Sequence, residues 1–142
     1  GRMLMIGILI VTHGKFGQEL LESAELIIGE LEKTDAIGLF PNESIDDFKK
    51  NIIETLKSLD TGKGVMVFVD LYGGTPSNSV ALNLGLNGGE INIECITGVN
   101  LPMLLEALTT RNNLKLSALK KHCIEAGIDG VKDLVSIVET NV

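Results

Sequence analysis

The sequence predicts a doubly wound α/β fold with a mostly parallel central sheet of about five strands flanked by helices. Three observations carry the prediction. Compact β-branched runs without polar interruption, Met5 to Val11 and Val65 to Val69, have the composition of strands covered on both faces. Between them lie stretches whose apolar residues recur every three or four positions, the mark of amphipathic helices. The two kinds of segment alternate along all 142 residues, with no internal repeat or low-complexity linker.

Taken in order, the first strand covers Met5 to Val11 and stops at the polar turn Thr12-His13-Gly14-Lys15. From Gly17, the positions Leu20, Leu21, Ala24, Ile27, Ile28 and Leu31 define one helix face. Ala36 to Phe40 reads as a short strand, and Pro41-Asn42-Glu43-Ser44 as a turn with Ser44 capping a helix over Ile45 to Leu59. The third strand, Val65 to Val69, ends at Asp70, and Gly73-Gly74-Thr75-Pro76 leads into a helix from Ser77 to about Leu86. Ile91 to Ile96 is a further strand. The turn Thr97-Gly98-Val99-Asn100 and a helix from Pro102 to about Thr109 follow it. A last helix is expected from Leu114 to Ala126, with Gly127 as its C-cap, and the tail from Val131 to Val138 as an edge strand or return arm.

The length suits a single domain spanning 1–142, and Gly1-Arg2 ahead of Met3 reads as a tag remnant. At 44% hydrophobic and 22% charged, the composition is that of a globular chain, and a net charge of −7 leaves no basic face to track a nucleic acid backbone. Cys95 and Cys123 lie far apart with no metal-ligand spacing, so they read as reduced packing residues, and neither a metal nor a cofactor is expected. The apolar start is too short to span a bilayer and lacks a cleavage site, which makes a cytoplasmic location the expectation.

In sheets of this kind, ligands collect outside the carboxyl ends of the strands, where the strand order reverses. Three polar turns fall there: Thr12-His13-Gly14, the segment from Asp70 to Asn78, and Gly98 to Pro102. A histidine nitrogen accepts a phosphoryl group only with a free lone pair, and its tautomer is set by what the other nitrogen donates to. Asp70, at the end of the strand expected beside the first, is the natural acceptor for a ring N–H of His13. Gly73, Gly74 and Thr75 stand where a loop enters a helix, a place whose unpaired N–H groups receive anions.

Each residue also has a plainer reading. A histidine at a strand end is more often a structural hydrogen-bonding group than a nucleophile. Asp70 has an alternative as a turn or cap residue, and the glycine pair as a tight βα turn. His122, beside Lys120 and Lys121, reads as part of a solvated helix face.

Three segments together resemble the mannose-type IIA component of the sugar phosphotransferase system. They are Gly7-Ile8-Leu9-Ile10-Val11-Thr12-His13-Gly14, Lys63-Gly64-Val65 through Asp70 with Gly73-Gly74-Thr75-Pro76-Ser77-Asn78, and Gly98-Val99-Asn100-Leu101-Pro102-Met103-Leu104. The resemblance covers nearly the whole chain in the same order. It implies a phosphotransferase that takes a phosphoryl group from HPr onto His13 and passes it to a IIB component, touching the membrane only through the permease components. By the same resemblance Asp70 orients the ring, Gly74 and Thr75 contact the phosphate, and the chain is a homodimer exchanging a C-terminal strand; Gly14 and Gly73 are the further candidates for phosphate binding. Thr75 stands where serine is common and Tyr72 where tryptophan also occurs. A regulatory IIA-like domain or a phosphoryl donor for dihydroxyacetone kinase is the alternative. A flavodoxin-like nucleotide or flavin module is a third, although no Gly-x-Gly-x-x-Gly or Walker-type lysine follows the first strand.

Overall fold

The structure, a computed structural model, describes residues 4–84 and 90–140. The elements are β1 (Gly7–His13), α1 (Phe16–Ile28), β2 (Thr34–Leu39), α2 (Ile45–Leu59), β3 (Val65–Val69) and α3 (Thr75–Asn83). They continue with β4 (Ile93–Thr97), α4 (Leu101–Thr110), α5 (Leu116–Asp129) and α6 (Leu134–Thr140). Gly1-Arg2, expected as a tag remnant, and the expected helix end near Leu86 lie outside the described residues.

The four strands pair in the order β2-β1-β3-β4, parallel throughout. Successive side chains on β1 and β3 point to opposite faces, and both faces are covered. On one side Ile6, Ile8, Ile10, Met66 and Phe68 pack with Leu21 and Ala24 of α1, Leu104 and Ala107 of α4, and Leu119 and Cys123 of α5. On the other, Leu9, Val11, Val65, Val67 and Val69 pack with Phe48, Ile52 and Leu56 of α2 and Val80 of α3. This two-sided burial is why the sequence of β1 and β3 runs apolar without alternation. Removing one fully buried ring, Phe48 or Phe68, costs about 3–5 kcal/mol.

From β1 the chain moves to one edge of the sheet at β2, then crosses back to β3 and on to β4 at the other edge. The reversal therefore lies between β1 and β3, whose carboxyl ends stand side by side.

Four expectations need correction. Among the described residues the sheet has four strands, not about five. The tail, expected as an edge strand or return arm, turns into α6, because Asp133 caps it: its carboxylate accepts the Ser136 N–H at 3.1 Å and its carbonyl accepts the Ile137 N–H at 3.1 Å. Leu134, Val135, Ile137 and Val138 then follow helical spacing, although all four are exposed. Finally, α5 runs past Gly127 to Asp129 with Gly130 as its C-cap, while Gly127 is buried where its Cα passes beside Met103. In α1 the expected inward face stops at Ala24, and Ile27 is exposed near the helix end.

Candidate functional site

Val11 of β1 pairs with Val69 of β3, so the residues just beyond, His13 and Asp70, leave the sheet side by side. The ring Nδ1 of His13 lies 2.7 Å from Asp70 Oδ2. The same oxygen accepts the backbone N–H of His13 at 2.9 Å, and the Leu71 N–H donates to Oδ1 at 3.0 Å. The Asp70 side chain is 12% exposed and that of His13 50%. Burial pushes the Asp70 carboxyl up, but the His13 backbone N–H, its ring N–H and the Leu71 N–H together outweigh this and hold it below the ordinary value. An ionised carboxylate only accepts, so in the neutral ring Nδ1 carries the proton and Nε2 keeps its lone pair.

The turn that presents His13 is pinned on three sides. Thr12 is fully buried, and its hydroxyl accepts the Gly17 N–H at 2.9 Å, closing the start of α1. Gly14 has φ +56, a conformation that a glycine reaches without strain, and its N–H donates to the Leu39 carbonyl at 2.8 Å. Opposite the ring stands Gly74, where a Cβ would come within 3.0 Å of His13 Cε1 and 3.5 Å of Nε2. Gly74 is also the N-cap of α3, with Gly73 before it at φ +87 and Thr75 and Pro76 opening the helix.

Of the residues singled out in the sequence, His13 and Asp70 meet directly, Gly74 faces the His13 ring, Gly14 is the next link of the chain, and Gly73 and Thr75 flank Gly74. The Gly98 turn serves the fold instead, because Asn100 caps α4 by accepting the Met103 N–H at 3.0 Å and donates to the Gly127 carbonyl at 3.0 Å. His122 is half exposed with Nδ1 3.9 Å from a Glu106 carboxylate oxygen. Cys123 is buried in the core with its thiol pushed up to about 12 by burial and by Glu106. Among the described residues no group of three or more His, Cys, Asp or Glu is placed to hold a metal ion, and no helix is long and apolar enough to cross a membrane. Sequence reasoning missed Gly38. A glycine inside a six-residue strand was the available signal, since such a position commonly marks a close backbone approach.

The sequence model of the EIIA-man family, described as PTS system fructose IIA component, matches residues 7–124. The chain belongs to this family. It is 35% identical over 115 residues to the PTS system fructose-specific EIIA component of Bacillus subtilis, covering 81% of this chain and 77% of that protein. It is also 36% identical over 132 residues to the mannose-specific EIIAB component of Escherichia coli, covering 92% of this chain. The chain spans only 40% of the length of that EIIAB component. A crystal structure of phosphotransferase system component EIIA from Streptococcus agalactiae superposes with a TM-score of 0.85 at 30% identity, covering 93% of this chain and 99% of that one. The matched span of this EIIA family member includes both strand ends that carry His13 and Asp70.

Proposed function

We propose that this EIIA family member is a phosphoryl carrier of a sugar phosphotransferase system, acting in the cytoplasm, with His13 as the residue that holds the phosphoryl group. The observation that carries the reading is the 2.7 Å contact between His13 Nδ1 and Asp70, which leaves Nε2 as the nucleophilic nitrogen of a half-exposed ring. No hydrogen bond occupies Nε2 among the described residues.

In the forward step Nε2 attacks the phosphorus of a phosphohistidine on HPr. The donor's N–P bond breaks, the new N–P bond forms at Nε2, and the donor imidazole leaves with the electron pair. The Nδ1 proton stays in the hydrogen bond to Asp70, whose negative charge offsets the positive charge that grows on the His13 ring. Such a loose transition state needs positioning and hydrogen-bond donors rather than further covalent chemistry. The amides of Gly73, Gly74 and Thr75, at the start of α3, supply donors for the phosphoryl oxygens, whereas the Gly14 N–H, already donated to the Leu39 carbonyl, holds the turn. Transfer onward to a IIB component repeats the exchange in the opposite sense.

The surroundings suit protein partners. Phe16, Leu71 and Tyr72 are exposed next to the two site residues in the chain, and Phe40 is exposed where β2 ends beside Gly14. A homodimer belongs to the same proposal: β4 is a sheet edge, and α6 exposes Leu134, Val135, Ile137 and Val138. Light scattering on the purified chain gives its mass directly.

The deciding experiment combines the chain with phosphoenolpyruvate, enzyme I and HPr. One acid-labile phosphate per chain is expected, absent in His13→Ala. No label on the wild type, or full label on the variant, overturns the reading. Subsequent transfer to a IIB component separates transport from regulation or donation to dihydroxyacetone kinase.

A further inference from the structure

We infer that Gly38, on the strand next to His13, is a positioning residue: its missing side chain is what allows the His13 turn to fold onto β2. The inference rests on the reading of His13 as the phosphoryl-bearing group. Gly38 pairs with Thr12 in the parallel ladder, and Leu39 pairs with His13. Beyond the last pair the chain continues the ladder by one bond, from the Gly14 N–H to the Leu39 carbonyl. The Gly14 carbonyl then turns back over the Cα of Gly38. A methyl group there would overlap the Gly14 carbonyl oxygen, with the carbonyl carbon and Phe40 Cε2 each 3.0 Å away. Because the overlapping atom is a backbone oxygen, no rotamer change relieves the overlap.

Gly38 is not among the glycines with positive φ, so an alanine would be acceptable there on conformational grounds. Its requirement is for space alone. Gly14 is the reverse case: a Cβ there meets nothing within 4 Å, but φ is +56. The two glycines therefore solve one problem together, Gly14 by bending the turn and Gly38 by receiving it. A side chain at 38 displaces the Gly14 carbonyl by about 1 Å, a misplacement of the size that costs a positioned reaction on the order of a hundredfold. The displacement reaches His13 through one peptide unit and loosens the pairing of its backbone N–H and ring with Asp70.

The test compares Gly38→Ala with Gly7→Ala. Gly7 lies at the other end of β1, where a Cβ would sit 2.7 Å from the Leu59 carbonyl oxygen, so this variant strains the same sheet far from the site. Two readouts are taken: kcat and KM for phosphoryl transfer from HPr, and the ring tautomer from 15N shifts of His13 in unphosphorylated protein. Gly38→Ala should lower kcat on the order of a hundredfold with KM unchanged and should reduce the Nδ1–H tautomer. Gly7→Ala should lower stability and leave both readouts alone. Wild-type behaviour of Gly38→Ala, or the same losses in both variants, overturns the inference. If Gly38→Ala does not fold, amide exchange at Gly14 of the wild type decides: protection is expected, and exchange at the rate of a free amide overturns the inference. The tautomer is read without any donor, so a wild type that takes no phosphate would defeat the phosphoryl reading while the positioning result stands separately.

Discussion

Oδ2 of Asp70 accepts two hydrogen bonds from the same residue, one from the His13 backbone N–H at 2.9 Å and one from its ring Nδ1 at 2.7 Å. A single carboxylate oxygen thus fixes where the chain leaves β1 and how the imidazole is turned. The arrangement follows from the parallel register, which sets the end of β3 beside the end of β1.

Replacing Asp70 with asparagine keeps the shape and removes the charge. An amide can present either an oxygen or an NH2 to Nδ1, so the tautomer is no longer enforced. Phosphoryl transfer should fall roughly 10²–10⁴-fold, the range of a lost acid–base partner, in a single-turnover assay with phosphorylated HPr. A rate within a few-fold of wild type would remove Asp70 from the mechanism.

The same pair sets a pH dependence of stability. The Asp70 carboxyl is held below its ordinary 3.8 in the folded protein, so its ionised form favours folding at every pH above that value. The contribution fades as pH falls through the lower, folded value. Urea unfolding of wild type and Asp70→Asn should differ most at neutral pH and converge in acid. A gap that widens on acidification contradicts the assignment.

Gly74→Ala should divide stability from activity. Gly74 has φ −82 and ψ 174, which alanine adopts readily, so the melting temperature should barely move. The new methyl would press on His13 Cε1 at 3.0 Å and crowd the approach to Nε2, and transfer should slow. Thermal melting and transfer rates on one preparation check this. A large loss of stability at full activity would reverse the expectation.

Arg111 behaves oppositely. It is buried at the amino ends of the strands, where its guanidinium donates to the carbonyls of Ile6, Glu32 and Lys33 and to the Thr34 hydroxyl. Truncation to alanine strands those acceptors and should destabilise the fold by about 2–4 kcal/mol, with little rescue by lysine, which lacks the planar fork. Transfer by the folded fraction should be unchanged. Chemical denaturation alongside the transfer assay tests both parts.

How much of this was legible in the sequence depended on whether the signal was local. The bounds of α2 and β3 could be read to the residue, because Ser44 marks a cap and Val65 to Val69 is an unbroken apolar run. Asp70 could be placed beside His13 from strand order alone. Alternating apolar residues misled at the tail, where the Asp133 cap and the i, i+1, i+3, i+4 spacing of its apolar residues favour a helix. Gly127 looked like a stop because glycine ends helices, but here it lets α5 approach Met103 of α4. Gly38 and Arg111 act through partners 24 and more positions away in the chain, and no local pattern announces such contacts.

The central claim is that Asp70 engages Nδ1 and leaves Nε2 to carry the phosphoryl group. Histidine labelled with 15N, followed by phosphorylation through HPr and NMR detection of phosphorus–nitrogen coupling, tests it most directly. Coupling at Nε2 of residue 13 is the predicted result. Coupling at Nδ1, or at His122 instead, would contradict it.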